Sequence, residues 1–239
     1  MFGKVKESEQ HLNINWKHFY LSVLALVIPM ALQNLINVGV TAADVVMLGK
    51  VGEHALSGAS LAGQVQYIMT LFLFGLTSGA TVLTAQYWGK KDICTIEKIL
   101  GLGMRSAVIV TAVFFVAAQC IPHTLMKIFT SDPEVIEQGV VYLRIVSWSY
   151  IFMGITQTYL YIMRSVERVV VATVVYLCSL ICNVGINAVL IFGLFGMPAL
   201  GVKGAAIGTL TARLLEMALV CLYSHFWNKD IKLSLIHIS

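Results

Sequence analysis

The stretch IPMALQNLINVGVTAADVVMLG, residues 28–49, decides the fold. It is apolar and long enough to cross a bilayer, which takes about 20 residues of helix, yet it contains a carboxylate, Asp44. A charge near the bilayer centre costs roughly 2.5–3.5 kcal/mol on insertion scales, so Asp44 needs a partner, a proton or a water-filled cavity, unless it reaches headgroup water from the helix end. Intramembrane acids are rare and mostly functional, which makes Asp44 the first candidate site residue.

The surrounding chain reads the same way. Of its 239 residues 58% are hydrophobic and only 12% charged, and the mean hydropathy is +0.83, more apolar than a soluble core of this length requires. Short polar stretches separate six mostly apolar runs, expected as spanning helices at about 19–48, 56–87, 99–120, 139–163, 169–195 and 204–227. No run alternates as a lipid-facing strand would, which argues against a β-barrel. The expected fold class is therefore an all-α integral membrane protein, multi-pass in the cell membrane and surrounded by membrane lipids. Residues 1–18 are expected as a cytoplasmic N-terminal segment, 19–227 as the six-helix transmembrane unit and 228–239 as a tail.

Charge sets the expected orientation. With the N-terminus inside, ten Lys and Arg fall on the cytoplasmic side (Lys4, Lys6, Lys17, Lys90, Lys91, Lys98, Arg164, Arg168, Lys229 and Lys232) and three outside (Lys50, Lys127 and Lys203). That bias places both termini in the cytoplasm. The net charge of +4 is spread through loops without a basic, aromatic-interleaved face, so no nucleic-acid partner is expected.

On this topology several polar groups share one depth. At 1.5 Å per residue, Asp44 lies about 6 Å before the end of the first helix, Asn183 and Asn187 about 18 and 12 Å before the end of the fifth, and Thr209 about 8 Å into the sixth. All four fall in the outer half. Asn183 and Asn187 are four apart and share a helix face. Carboxylate, amide and hydroxyl oxygens suit a small hard cation, or the set can hold a proton on Asp44. Bonding between helices is the alternative role for the two asparagines.

Other features carry less chemistry. Pro29, inside the long first helix, is the expected kink. Gly75 to Gly79 and Gly204 to Gly208 are GxxxG spacings that let backbones approach, read as packing. Arg213 and Glu216, three apart, can pair and lower their insertion cost. In TSDPEVIEQGVVYLR, residues 130–144, Ser131 or Asp132 caps a helix that opens on Pro133, with the acids on a solvated face. Tyr67, Met69 and Phe72 are candidates for lining a cavity or for packing. The five cysteines have no CxxC or Cys/His metal spacing, and no cofactor is expected. His54, His123 and His225 lie at helix ends and one aspartate lies in a span, so the constellation an intramembrane enzyme needs is missing.

Several ordered motifs carry a family resemblance over roughly residues 16–225. They are Pro29 to Gly52 with Asp44-Val-Val-Met-Leu-Gly, then Gly79-Ala-Thr-Val-Leu-Thr-Ala-Gln-Tyr-Trp-Gly-Lys-Lys-Asp92, and Asp132-Pro-Glu-Val through Tyr142-Leu-Arg. Asn183-Val-Gly-Ile-Asn187 and Leu200-Gly-Val-Lys-Gly-Ala-Ala-Ile-Gly-Thr209 complete them. Together they resemble the N-terminal lobe of the multidrug and toxic-compound extrusion (MATE) family. The resemblance implies a secondary antiporter, not an enzyme, that expels small cationic or amphipathic substrates in exchange for sodium ions or protons. It implies two six-helix lobes and puts the N-lobe cation site on Asp44, Asn183, Asn187 and Thr209, with Pro29 as the hinge of the first helix. Some proton-coupled members carry a second acid where this chain has Asn187. The second, C-terminal lobe is missing, and the ending KLSLIHIS is expected to be a truncation. A second copy of the chain is the other candidate partner. A lipid or lipid-linked oligosaccharide flippase of related fold ranks second, because only Arg105, Arg144 and Arg213 are available to meet anionic headgroups; an inactive half-transporter fragment is the remaining alternative.

Overall fold

The computed structural model describes residues 16–227, so Lys4, Lys6, Lys229, Lys232, most of the N-terminal segment and the 228–239 tail lie outside the described residues. The described chain is all-α: α1 (Trp16–Gly49), α2 (Glu53–Gly89), α3 (Ile93–Cys120), α4 (Pro122–Lys127), α5 (Pro133–Val146), α6 (Ser149–Ser165), α7 (Val169–Phe192) and α8 (Val202–Leu222). A 3-10 turn follows α7 and a π turn, Tyr223–Trp227, extends α8. Among the described residues five helices are long and apolar enough to span a membrane, and α5 and α6 are so only when taken together as a bent pair.

That bend corrects the expectation of a single helix over 139–163. α5 and α6 meet at 57°, and the cause is local competition for backbone carbonyls. Gln119, reaching from α3, donates to Arg144 O and to Ser147 Oγ, both at 2.8 Å. Ser147 Oγ itself donates to Arg144 O at 3.1 Å, and Ser149 Oγ to Val146 O at 2.6 Å. Side chains thus occupy the carbonyls at the helix junction, and hydroxyl bonding of this kind bends helices. The third helix also begins at Ile93 rather than near 99, because the Asp92 carboxylate caps it, accepting from Thr95 N at 3.1 Å and Thr95 Oγ1 at 2.7 Å. These bonds, the side-chain one foremost, hold the Asp92 carboxyl below its ordinary range. Its contribution is therefore complete at neutral pH and is lost only as pH falls through that lowered value.

Pro122 stops α3 at Cys120 and opens the short α4, a helix missing from the sequence reading. Asp132 caps α5, accepting from Glu134 N at 2.9 Å, with Pro133 in the first turn. The acids here are more than a solvated face. Asp132 and Glu134 lie 3.8 and 3.4 Å from the two ring nitrogens of His54, tying the start of α5 to the start of α2; as an exposed cluster it contributes little.

Packing follows the small residues. α2 crosses α5 where a methyl on Gly58 would come within 2.8 Å of Gly139 N and Val135 O. Gly204 lies against the α7 backbone, and α7 and α8 share the most extensive contact among the described helices. Gly75 and Gly79, with the same spacing as Gly204 and Gly208, have nothing within 4 Å of where a Cβ would stand. The expected close contact there is not made among the described residues. Gly58→Ala should therefore lower stability by about 1–3 kcal/mol through overpacking, whereas Gly75→Ala should be tolerated; thermal unfolding in detergent compares the two.

α1 is continuous through Pro29 and rests mainly on α7. Gln33, fully buried, fastens them: its Nε2 donates to Val169 O at 3.0 Å and to Thr173 Oγ1 at 2.8 Å. Below this fastening the proline ring removes one bond of the helix ladder. Much of the outer surface of α1 is apolar and exposed, including Leu35, Val38 and Val46.

Candidate functional site

Three helix ends build the site. Asp44 lies five residues before the end of α1, Asn187 five residues before the end of α7, and Thr209 seven residues into α8. Each group is thus about 8–11 Å from its helix end, at one level of the bundle. Gly193 closes α7 in the left-handed conformation at φ 70°, where glycine is favoured. The chain then returns through Leu200, whose N–H bonds Leu190 O at 2.9 Å, and α8 starts beside the end of α7.

Hydrogen bonds join three of the four candidate residues. Asn187 Nδ2 donates to Asp44 Oδ1 at 2.6 Å and to Asn183 Oδ1 at 3.2 Å. Asn183 and Asn187 are buried, and Asp44 is half-buried on a cavity of about 660 Å³. The amide spends its donor on the carboxylate, which leaves its own oxygen free: Asn187 Oδ1 is buried without a hydrogen-bond partner. Thr209 bonds to none of the three. It lines the same cavity, and its Oγ1 is likewise buried and unpartnered. Such orphaned acceptors are uncommon and call for an explanation.

Gly208, one residue before Thr209, lets α8 approach this closely. A methyl built on it would overlap Asn187 Oδ1. Carboxylate, two amide oxygens and a hydroxyl thus converge with no cationic side chain bonded to Asp44 among the described residues. Oxygen donors of this kind suit sodium, and the carboxylate alone can take a proton.

The cavity extends beyond this cluster. Tyr67 lines it, whereas Met69 is fully buried in the core and Phe72 is exposed against the Phe114 ring, centroids 5.9 Å apart. Arg213 and Glu216 also line it, with Tyr142 and Tyr176. Read from the sequence as a pair that lowers its own insertion cost, they are bonded as such: Arg213 Nη1 reaches both Glu216 oxygens, at 2.7 and 2.9 Å. Their place beside Asp44's cavity was not read from the sequence, although the spacing Thr209, Arg213, Glu216 marks one face of α8 and was a signal that could have shown it. Of the three intramembrane arginines, Arg105 and Arg144 are exposed away from it.

The comparisons agree with this architecture. The chain is 28% identical over 233 residues to the probable multidrug resistance protein NorM of Rhizobium meliloti (strain 1021), covering 90% of this chain and 49% of that protein. It is 25% identical over 191 residues to multidrug resistance protein MdtK of Yersinia enterocolitica serotype O:8 / biotype 1B, covering 79% and 41%. Among solved structures, a MOP superfamily transporter from Pyrococcus furiosus Vc1 (DSM3638) superposes with a TM-score of 0.81 at 17% identity, covering 91% of this chain and 48% of that one. An outward-facing multidrug resistance MATE family transporter superposes at 0.78 and 18% identity, covering 88% and 46%. The fold is therefore that of MATE transporter structures, and the chain spans about half the length of the relatives it matches. The MatE family model matches residues 29–189, a stretch holding Asp44, Asn183 and Asn187, and the chain belongs to this family of multidrug and toxic-compound extrusion membrane proteins.

Proposed function

We propose that this chain is the N-terminal lobe of a secondary antiporter that exports cationic or amphipathic compounds in exchange for sodium ions or protons. The observation that carries the proposal is the bond from Asn187 to Asp44 beside two buried, unpartnered oxygens on a cavity of about 660 Å³. A cation bound there neutralises Asp44 and satisfies Asn187 Oδ1 and Thr209 Oγ1 together. Both termini face the cytoplasm in this reading, so the site opens in the outer half of the membrane.

Exchange needs the coupling cation and the exported compound to oppose one another. Each neutralises the same carboxylate, so binding of one weakens binding of the other by the same factor. The coupling cation also has to favour one conformation over the other, because equal affinity for both would shift nothing. α1 is the element that moves in this scheme, hinged at Pro29 and held to α7 through Gln33. A second six-helix lobe or a second copy completes the path.

The test needs no second lobe. For the chain in nanodiscs, the affinity for a fluorescent organic cation should fall at least tenfold as sodium is raised at fixed pH, or as pH is lowered without sodium. The arm that responds names the coupling ion; an affinity that ignores both sodium and pH contradicts the proposal.

A further inference from the structure

We infer that the outer face of α3 holds an anionic phospholipid, with the lipid phosphate lying between Lys98 and Arg105. α3 packs on α2 and α6, and it is exposed at Lys98, Leu102, Arg105, Ile109, Val113 and Val116. Steps of three and four residues make these a single stripe. From Ile109 onward it is the surface that a helix shows to lipid: Ile109, Val113 and Val116 are 66%, 62% and 54% exposed, and none is small enough to admit a neighbouring backbone. Arg105 interrupts this stripe and lies away from the cavity beside Asp44. An arginine among lipid-facing side chains has to reach water or a headgroup.

Depth decides between them. α3 rises about 22 Å from Arg105 to its end at Cys120, and a hydrocarbon core of about 30 Å extends past that end into the stretch where Ile121 and Ile128 are exposed and apolar. Arg105 therefore stands at one edge of the core. Lys98, seven residues earlier, lies about 10 Å farther out. The headgroup layer is roughly 5–8 Å thick on each side, so the phosphates fall between the two cations, and Leu102, 67% exposed, meets the adjoining acyl chain. Charge then selects the lipid. Residues 90–105 carry Lys90, Lys91, Lys98 and Arg105 against Asp92 and Glu97, four minus two, a net of +2. Neither Lys98 nor Arg105 forms a salt bridge among the described residues, and the Asp92 carboxylate is engaged by Thr95. A zwitterionic headgroup brings an ammonium that this surface repels; one with a phosphate and no cation does not. The leaflet is the one at the start of α3, cytoplasmic in the orientation proposed above.

The experiment takes the chain in nanodiscs of equal phosphatidylglycerol and phosphatidylcholine and counts the lipids it retains by native mass spectrometry. Retained lipid should be enriched about tenfold in phosphatidylglycerol, the effect of two basic contacts at a bilayer surface. K98Q/R105Q should return the ratio to that of the disc, and K90Q/K91Q should keep most of the preference. A preference that survives K98Q/R105Q, or that K90Q/K91Q removes as completely, overturns the site and leaves only general attraction to a basic surface. A photoreactive benzophenone side chain at Leu102, in the otherwise native chain, makes the test independent of how the double variant folds. It should attach phosphatidylglycerol in the same preference, whereas at Val113, about 16 Å farther along the face, it should attach both lipids alike. Equal labelling of the two lipids at Leu102, or attachment there to protein in place of lipid, also overturns the inference. Neither result touches the cation site at Asp44, which this inference does not use.

Discussion

Asp44→Asn should abolish competition between the organic cation and sodium or protons while leaving the chain as well folded as before, or better. The asparagine oxygen can accept the bond that Asn187 Nδ2 now gives to Asp44 Oδ1, so the α1–α7 contact keeps its geometry. What disappears is a charge whose transfer into the membrane costs roughly 2.5–3.5 kcal/mol. Asp44→Ala separates the two roles further. It removes the charge and also strands the Asn187 amide, so it should lose the same competition and in addition about 1–3 kcal/mol of stability. Fluorescent-cation titration and thermal unfolding on the three proteins give both readouts. If Asp44→Asn still shows full competition by sodium or protons, Asp44 is not the coupling group.

The second large effect comes from two identical substitutions one helical turn apart. At Gly204 an added methyl would stand 2.7 Å from the carbonyl carbon and oxygen of Leu190 and 2.9 Å from Ile191 N. Backbone cannot yield, so α7 and α8 must separate, and overpacking of this kind costs about 1–3 kcal/mol. At Gly208 the methyl meets the end of the Asn187 side chain instead, which can swing away. Replacing a helical glycine by alanine also returns up to about 1 kcal/mol of helix propensity. Gly204→Ala should thus unfold at lower temperature. Gly208→Ala should melt near the native value but lose at least tenfold in cation affinity, because Asn187 is pushed off Asp44. Equal stability of both variants, or native cation affinity in Gly208→Ala, would contradict the packing described.

These outcomes depend on features that were unevenly visible in the sequence. Five of the six spans, the end of the third near Cys120 and a cap at Ser131 or Asp132 ahead of Pro133 are written in local residue chemistry and could be read directly. Asp44, Asn183, Asn187 and Thr209 could be grouped by depth, because charge bias sets direction and helix rise sets distance. The bond between Asp44 and Asn187 could not be derived that way, since depth fixes level but not which faces turn toward each other. The bend between α5 and α6 was hidden for a related reason. It is made partly by Gln119, about 25 residues earlier on α3, with no glycine or proline at the junction to mark it. Gln33 gave no signal beyond being polar in a span. Gly75 and Gly79 show the converse: their spacing permits a close contact, but no helix among the described residues is there to make it.

Difference infrared spectroscopy on the native chain and Asp44→Asn tests the cation site without any transported compound. A carboxylate that binds sodium shifts its stretching bands, and one that takes a proton exchanges them for a carbonyl band. The native spectrum minus that of Asp44→Asn, in which the other carboxylates of the twelve Asp and Glu cancel, should show one such change on adding sodium or on acidification. A difference between the two proteins in which no carboxylate band responds to either cation would remove Asp44 and its three oxygen-bearing neighbours from the coupling mechanism.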